Sequence, residues 1–212
     1  YKGLWVAAEG LIYEHWDPAV HVIPRFEIPV SWTRWWGVDF GFTNPFVLQC
    51  WAEDPDGRLY LVREIFHTQR LVEDHAKAIL DVMHRENLPR PRAIICDHDA
   101  EGRATLQRHL SMTTMPAKKE VTEGIQAVQS RLRAQGDGRP RVFLMRDALV
   151  ERDPDLVEAK APTCTVEEIA GYVWDVGNGR KAKEAPLKEK DDGMDAMRYV
   201  VANADLRGRA RV

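Results

Sequence analysis

The stretch RWWGVDFGFTNPFVLQCWAEDPDGRLYLVREIFH, residues 34–67, sets the architecture of this chain. It holds three apolar runs rich in β-branched and aromatic residues, which are typical of strands. The second and third runs are separated by Pro55-Asp56-Gly57, whose residue types favour a turn. We therefore predict three consecutive strands that pair as an antiparallel meander.

Helical and extended patterns alternate after this meander. Apolar residues recur on one face of each predicted helix, and the strands between them are short and apolar. We predict helices over residues 71–87, 101–110, 121–132 and 191–205, and strands over residues 92–97 and 141–145. Parallel strands need helical crossovers. The chain is thus predicted to be an α/β protein, with a mixed five-stranded sheet of antiparallel meander and parallel strands, flanked by helices.

Length and composition favour one domain. The chain has 212 residues, of which 44% are hydrophobic and 8% aromatic, which is enough for a single core. We expect residues 1–30 to be a lead-in segment packed on the domain, residues 31–206 to be the domain itself, and residues 207–212 to be a basic tail. The first residue is Tyr1, which favours a piece of a longer protein.

The sequence carries no signal-peptide pattern and no apolar run long enough to cross a membrane. Its three cysteines are odd in number and widely spaced, which indicates reduced thiols in an intracellular protein rather than disulfides or a zinc site.

A net charge of −3 gives the whole chain no general attraction for nucleic acid, so any such binding must be local. Positive charge is concentrated in two short stretches, where it is equally compatible with a solvated loop and with a phosphate-contacting face. A hairpin is predicted over residues 172–187, with Asn178-Gly179 at its turn. The candidate DNA-binding residues are Lys118, Lys119, Arg180, Lys181, Lys183, Lys188 and Lys190.

Two aspartates occupy unusual places for a charged group. Asp39 interrupts an apolar strand, where an ionised carboxylate costs several kcal/mol unless it is paired or bound to a metal. Gly41 follows it closely and would let a ligand or a nucleic-acid backbone approach. Asp97 ends the apolar run AIIC and opens a turn toward a crevice. Either Asp97 or Asp99 could instead cap the helix that follows.

Three more acids crowd the start of the last predicted helix. Asp191, Asp192 and Asp195 share one helical face, opposite the apolar residues. Capping and the positive end of the helix explain one or two of them. With Asp39 and Asp97, hard oxygen ligands from several elements indicate a divalent cation, Mg²⁺ or Mn²⁺.

The positions of these acids resemble a known family. An Asp in the first strand, an acid ending the fourth strand and an acid opening the last helix is the layout of ribonuclease H-like nucleases. Within that superfamily the chain resembles the C-terminal nuclease domain of the large terminase subunit of tailed bacteriophages. The matching segments are WGVDFGFTNP (36–45), AIICDHDAEG (93–102), KKEVTEGIQAVQSRL (118–132) and KDDGMDAMRYV (190–200).

The resemblance implies an activity and a set of roles. The chain would be a hydrolase, an endonuclease that uses two Mg²⁺ or Mn²⁺ ions to cut concatemeric double-stranded viral DNA during genome packaging, with little sequence specificity. Asp39 would bridge the metals, Asp97 would hold one of them and Asp192 the other, so these three are the expected catalytic residues. Asp191 and Asp195 are further metal-ligand candidates, Asp195 the less favoured.

The same resemblance implies partners and a location. Residues 31–206 would be the nuclease domain, and an ATPase motor domain would belong to the same polypeptide. The small terminase subunit and the portal protein would be further partners, and no membrane would be involved. The protein would act in the cytoplasm of the infected bacterial host.

Two other functions compete with this one. The sequence Asp39-Phe-Gly-Phe-Thr43 also resembles the D-x-G-x-T phosphate turn of actin-like and sugar-kinase folds, which bind ATP but normally use two such halves. A non-catalytic DNA-binding or docking module is the second alternative. Buried acids without a metal would destabilise such a module.

Overall fold

The computed structural model describes residues 10–118, 120–175 and 185–209, with side chains described as far as Asp205. Within these ranges the strands are β1 (Val22–Ile23), β2 (Thr33–Asp39), β3 (Phe46–Glu53), β4 (Leu59–His67), β5 (Ala93–Cys96), β6 (Thr114–Pro116) and β7 (Val142–Met145). The helices are α1 (Pro18–His21), α2 (Val72–Glu86), α3 (Ala100–Leu110), α4 (Val121–Leu132), α5 (Pro154–Glu158), α6 (Thr165–Glu168) and α7 (Asp192–Arg209).

The predicted meander forms the centre of the sheet. Strand β2 pairs antiparallel with β3, and β3 pairs antiparallel with β4. The turn between β3 and β4 closes with a hydrogen bond from the Gly57 N–H to the Asp54 carbonyl of 2.9 Å. Gly57 has a φ of +78°, a conformation that glycine adopts without steric cost. The turn is therefore where the sequence predicts it.

Parallel strands extend the sheet on both sides of the meander. Strand β5 lies parallel to β2, and β7 lies parallel to β4. Within the described residues the strand order is β1-β7-β4-β3-β2-β5-β6. Because β2 and β5 run the same way, their carboxyl ends lie at the same edge of the sheet. Asp39 is the last residue of β2, and Asp97 comes directly after the last residue of β5.

Helices cover both faces of the sheet. Neighbouring side chains of a strand point to opposite faces, so Trp35 packs in the core with Ile125 of α4 and Met197 of α7. Trp36 packs on the other side with Ile79 of α2, in a cluster that also includes residues of α3. Both tryptophans are buried. The run of apolar residues in β2 therefore reflects a strand with helices on both sides.

The predicted class is confirmed, and the predicted number of strands is too small. The sheet is mixed and flanked by helices, but it has seven strands among the described residues instead of five. The two additional strands, β1 and β6, have only two and three residues and lie at the edges. Such short segments have no periodicity of their own and are defined by pairing with β7 and β5.

The proposed domain boundaries stay predictions. Residues 1–9 of the expected lead-in lie outside the described residues, while Val22 and Ile23 of the same segment pair with β7. Residues 207–209 of the expected tail continue α7, and residues 210–212 are not described. Among the helices of the described ranges, none has the length and apolar character that a membrane crossing requires.

Candidate active site

Asp39 and Asp97 lie next to each other at the carboxyl edge of the sheet. In the parallel pairing of β2 and β5, Val38 is opposite Cys96, and the aspartates are the next residue on each strand. The Asp97 N–H donates to the Val38 carbonyl at 3.1 Å, so the pairing continues to this point. The ends of parallel strands are where α/β proteins commonly bind ligands.

The helix α7 brings the third group of acids to the same edge. It crosses β2 in close contact because Gly37 has no side chain: a Cβ there would lie 2.4 Å from the Ala196 carbonyl oxygen. The first turn of α7 contains Asp192 and Asp195. Three elements that are far apart in the sequence thus direct acids toward one region.

Asp39 is the most perturbed of these acids. Burial raises its pKa to about 8, and repulsion from Asp195, Asp192 and Asp97 adds to the rise. A hydrogen bond from the Tyr199 hydroxyl to Asp39 Oδ1, of 2.9 Å, acts in the opposite direction. An ionised Asp39 is therefore costly without a further positive charge nearby.

Asp191 and Asp192 are also shifted. Burial raises the pKa of Asp192 to about 6, and the Asp191 charge adds to it. The pKa of Asp191 is raised by burial and by Asp195, and it is lowered by the ammonium group of Lys188. Protonation therefore competes with cation binding at both groups.

Two cationic side chains already bind part of this cluster. Lys188 Nζ lies 3.0 Å from Asp191 Oδ2 and 3.2 Å from Asp195 Oδ2. The Arg198 guanidinium donates to the other oxygen of Asp195 at 2.5 Å. Asp195 is thus paired on both oxygens, whereas the hydrogen bond to Asp39 comes from a neutral phenol. This arrangement separates Asp195 from the other metal-ligand candidates.

The donor set suits a divalent cation, although the side chains do not form a finished cage. In the part of the chain that is described, no group of three His, Cys, Asp or Glu side chains has the geometry to hold a metal ion. The donors of the candidate set are all carboxylate oxygens, the ligands that Mg²⁺ and Mn²⁺ prefer. Burial and repulsion between neighbouring acids raise the pKa values of Asp39 and Asp192, so a bound cation would offset that repulsion.

A cleft of about 410 Å³ opens beside Asp191 and Asp192, between the loop of residues 43–45 and the start of α7. A larger cleft of about 660 Å³ lies at the opposite end of β2, against Thr33 and Glu53. We place the candidate site beside the smaller cleft because Asp191 and Asp192, two acids with raised pKa values, line it, although Asp39 and Asp97 do not. None of these acids lines the larger cleft.

Buried acids behind α7 were not predicted from the sequence. Glu168 is 2% exposed, and its Oε2 accepts a hydrogen bond from the Met194 N–H at 3.1 Å. Burial and the charge of Asp192 raise the pKa of Glu168 well above its usual range. The pattern Thr165-x-x-Glu168 indicates a local capping box, but the carboxyl caps α7 instead of its own helix.

Glu64 and Gln49 complete this buried network. The Gln49 amide donates to Thr165 Oγ1 at 2.7 Å and to the Gly193 carbonyl at 2.8 Å. The Thr165 N–H donates to Glu64, and burial raises the pKa of Glu64 to about 7. Glu64 interrupts an apolar strand just as Asp39 does, so the same argument from the sequence could have found it.

The predicted DNA-binding residues are only partly described. Lys118 is exposed between β6 and α4, and Lys190 is exposed just before α7. Lys188 is exposed too, but it bonds the acids. The remaining four, Lys119, Arg180, Lys181 and Lys183, lie outside the described residues, as does the predicted Asn178-Gly179 turn. The arms of that predicted hairpin are paired, since Trp174 and Pro186 form an antiparallel bridge.

No family model and no curated protein matches this chain. Solved structures do match. The large terminase of a thermophilic bacteriophage, in complex with ADP, is 26% identical with a TM-score of 0.72, over 94% of this chain and 46% of that one. The chain therefore spans about half of that protein.

Two nuclease domains match over most of their own length. The P22 large terminase nuclease domain is 17% identical with a TM-score of 0.65, over 95% of each chain. The nuclease domain of the bacteriophage SPP1 large terminase, with bound Mn, is 15% identical with a TM-score of 0.54, over 81% of this chain and 86% of that one. The expected resemblance is thus confirmed, and the chain has the ribonuclease H-like fold of large terminase nuclease domains.

Proposed function

We propose that this chain is the nuclease domain of a phage large terminase subunit, a metal-dependent endodeoxyribonuclease. It cleaves concatemeric viral DNA during genome packaging, with little sequence specificity. The observation that carries the proposal is the position of Asp39 and Asp97 on adjacent parallel strand ends, facing the acids of α7. The similarity to the P22 and SPP1 nuclease domains supports it.

Asp39, Asp97 and Asp192 are the proposed catalytic residues, and they hold the metal. Two divalent cations, when bound, would polarise the scissile phosphate and supply an activated water. Asp39 provides the most buried carboxylate. Asp191 is a further ligand candidate on the side of Asp192. Asp195 contributes only if Lys188 and Arg198 give up its oxygens.

Mg²⁺ or Mn²⁺ is the proposed cofactor. Carboxylate oxygens are the ligands of such hard cations, and the SPP1 nuclease domain was solved with Mn bound. Protons compete for the same oxygens, since the pKa values of Asp39 and Asp192 are raised to about 8 and about 6. Metal affinity should therefore rise with pH across this interval.

Phosphate contacts would hold the DNA. Basic side chains bind the backbone without reading the sequence, and such binding weakens as salt increases. The proposed contacts are Lys118, Lys119, Arg180, Lys181, Lys183, Lys188 and Lys190.

The larger assembly is also a proposal. The large terminase from the thermophilic phage, about half of which this chain matches, was solved with ADP, which supports an ATPase motor domain in the same polypeptide. The small terminase subunit and the portal protein are the further partners we propose. The proposed location is the cytoplasm of the infected host.

Cleavage of supercoiled plasmid tests the proposal. The chain is incubated in Mn²⁺, in Mg²⁺ and in EDTA, beside Asp39→Asn, Asp192→Asn and the control Asp137→Asn. Asp137 is an aspartate far from the site that bonds Arg58 and Arg141. We expect metal-dependent nicking or linearisation that the first two substitutions abolish and the control retains.

Other outcomes would change the assignment. Cleavage that survives both Asp39→Asn and Asp192→Asn would mean that the activity belongs to another site or to a contaminant. No cleavage together with ATP binding would favour the actin-like alternative.

A further inference from the structure

Tyr199 joins the last helix to the first acid of the candidate site. Its hydroxyl donates to Asp39 Oδ1 at 2.9 Å. The residue lies on α7 seven positions after Asp192, which returns it to nearly the same helical face. One hydrogen bond therefore links the strand that carries Asp39 to the helix that carries Asp192.

Packing alone does not require the hydroxyl. Tyr199 is 9% exposed, and a phenylalanine ring would fill the same space. The hydroxyl instead contacts the carboxylate that burial and three neighbouring aspartates disfavour as an anion. The Arg198 guanidinium also lies 5.6 Å from the centroid of the Tyr199 ring, within the range of a cation–π contact. The hydrogen bond to Asp39 and this contact both favour the observed orientation of the phenol.

We propose that Tyr199 is a positioning residue of the metal site. Its hydrogen bond fixes the side-chain orientation of Asp39 and so the direction in which the second oxygen, Oδ2, is presented. Groups that hydrogen-bond to metal ligands orient those ligands and strengthen metal binding. This inference rests on the proposed function, because it assigns Tyr199 a role toward the cation that Asp39 would hold.

Tyr199→Phe removes the hydroxyl and keeps the ring. We expect this change to weaken Mn²⁺ binding by roughly 10- to 100-fold, the usual effect of losing such a group. Isothermal titration calorimetry of the 212-residue chain measures the affinity, and thermal unfolding in EDTA measures stability separately. An affinity equal to that of the wild type would overturn the proposal.

The chain offers a matched control. Tyr60 is a buried tyrosine whose hydroxyl donates to Asp54 Oδ2 at 3.1 Å, at the far end of the sheet. Tyr60→Phe loses the same kind of bond, but it should bind Mn²⁺ as the wild type does. If both variants bound the metal equally weakly, the effect would be a general loss of stability and the positioning role would be wrong.

Two non-natural residues distinguish the effect of the hydrogen-bond donor at position 199 from the effect of side-chain size. Position 199 carries 4-aminophenylalanine in one protein and 4-methylphenylalanine in another. The side chains are similar in size, but only the first can donate to Asp39. We expect the amino variant to bind Mn²⁺ more tightly than the methyl variant, and equal affinities would contradict the inference even if Tyr199→Phe did not fold.

Mn²⁺ binding by the wild type and by Asp39→Asn distinguishes a failure of this inference from a failure of the proposed function. A wild type that binds no Mn²⁺ would overturn the proposed function and the role of Tyr199 with it. A wild type that binds Mn²⁺, an Asp39→Asn protein that does not, and a Tyr199→Phe protein with unchanged affinity would overturn only the role of Tyr199.

Discussion

Replacing Asp39 with asparagine should stabilise the metal-free protein while it removes a proposed metal ligand. Asparagine keeps the size of the side chain and can still accept the hydrogen bond from Tyr199. It carries no charge, so it avoids both the burial of an anion and the repulsion from Asp97, Asp192 and Asp195. The native aspartate, by contrast, is held in a place that resists its ionisation.

The size of the effect follows from the pKa of Asp39. Its rise from 3.8 to about 8, at about 1.4 kcal/mol for each pKa unit, sets a ceiling of about 6 kcal/mol on the increase in the free energy of unfolding that the substitution can produce. Water entry and side-chain rearrangement reduce this value, because the effective dielectric constant of protein sites is about 20. We therefore expect a gain of about 1–3 kcal/mol, or roughly 2–12 °C in Tm for a chain of this length.

The stability difference between Asp39→Asn and the wild type depends on pH. Between about pH 4 and pH 8 the folded wild type keeps the Asp39 proton and the unfolded chain loses it, so wild-type stability falls as pH rises. Asparagine has no such proton. The advantage of Asp39→Asn should be small near pH 4, grow up to about pH 8 and then level off.

Thermal unfolding of both proteins in EDTA at several pH values measures this advantage. When the measurement is repeated with Mn²⁺, the ion should stabilise the wild type more than the variant, because we expect only the wild-type site to bind it tightly. An Asp39→Asn protein with a Tm at or below that of the wild type at pH 8 in EDTA, and no growth of the difference with pH, would show that Asp39 is not disfavoured as an anion.

Three further substitutions test other parts of the structure. Gly37→Ala places a methyl group against the Ala196 carbonyl, so we expect about 1–3 kcal/mol less stability in urea unfolding; unchanged stability would mean that α7 moves away at little cost. Lys188→Gln removes a cation that bonds two of the acids and should tighten Mn²⁺ binding in calorimetry, whereas the exposed control Lys190→Gln should not, and equal affinities would argue against competition. Glu168→Gln keeps an oxygen that can accept the Met194 N–H and removes a carboxyl whose pKa burial raises, so we expect stability to change by less than about 1 kcal/mol; a larger loss in urea unfolding would indicate an ionised carboxyl.

The central architecture could be predicted from the sequence because its signals are local. The turn at Gly57 lies between two apolar runs, and the helical spacing of Ile125 and Val128 needs no knowledge of the rest of the chain. The two edge strands could not be predicted, because segments such as Val22–Ile23 become strands only through pairing with β7. Strand order is a property of the whole sheet and has no local signal.

The candidate site divides in the same way. Asp39 is conspicuous because a charged residue interrupts an apolar strand, and Glu64 could have been found by the same argument. Tyr199 has no such signal, since a tyrosine on an amphipathic helix is usually an ordinary core residue. Its hydroxyl partner lies 160 positions away in the sequence. The pairing of Asp195 with Arg198, by contrast, is an i,i+3 contact within α7, so helical spacing alone could have indicated it.

The close crossing of α7 over β2 at Gly37 has a consequence for the order of synthesis. On a ribosome, the segments that carry Asp39 and Asp97 emerge well before α7. The acids of α7 cannot reach them until that helix packs against Gly37. A growing chain therefore holds the acids of the candidate site only in separate segments. If the proposed function holds, host DNA near the site of translation is exposed to a competent nuclease only after the last helix has been made.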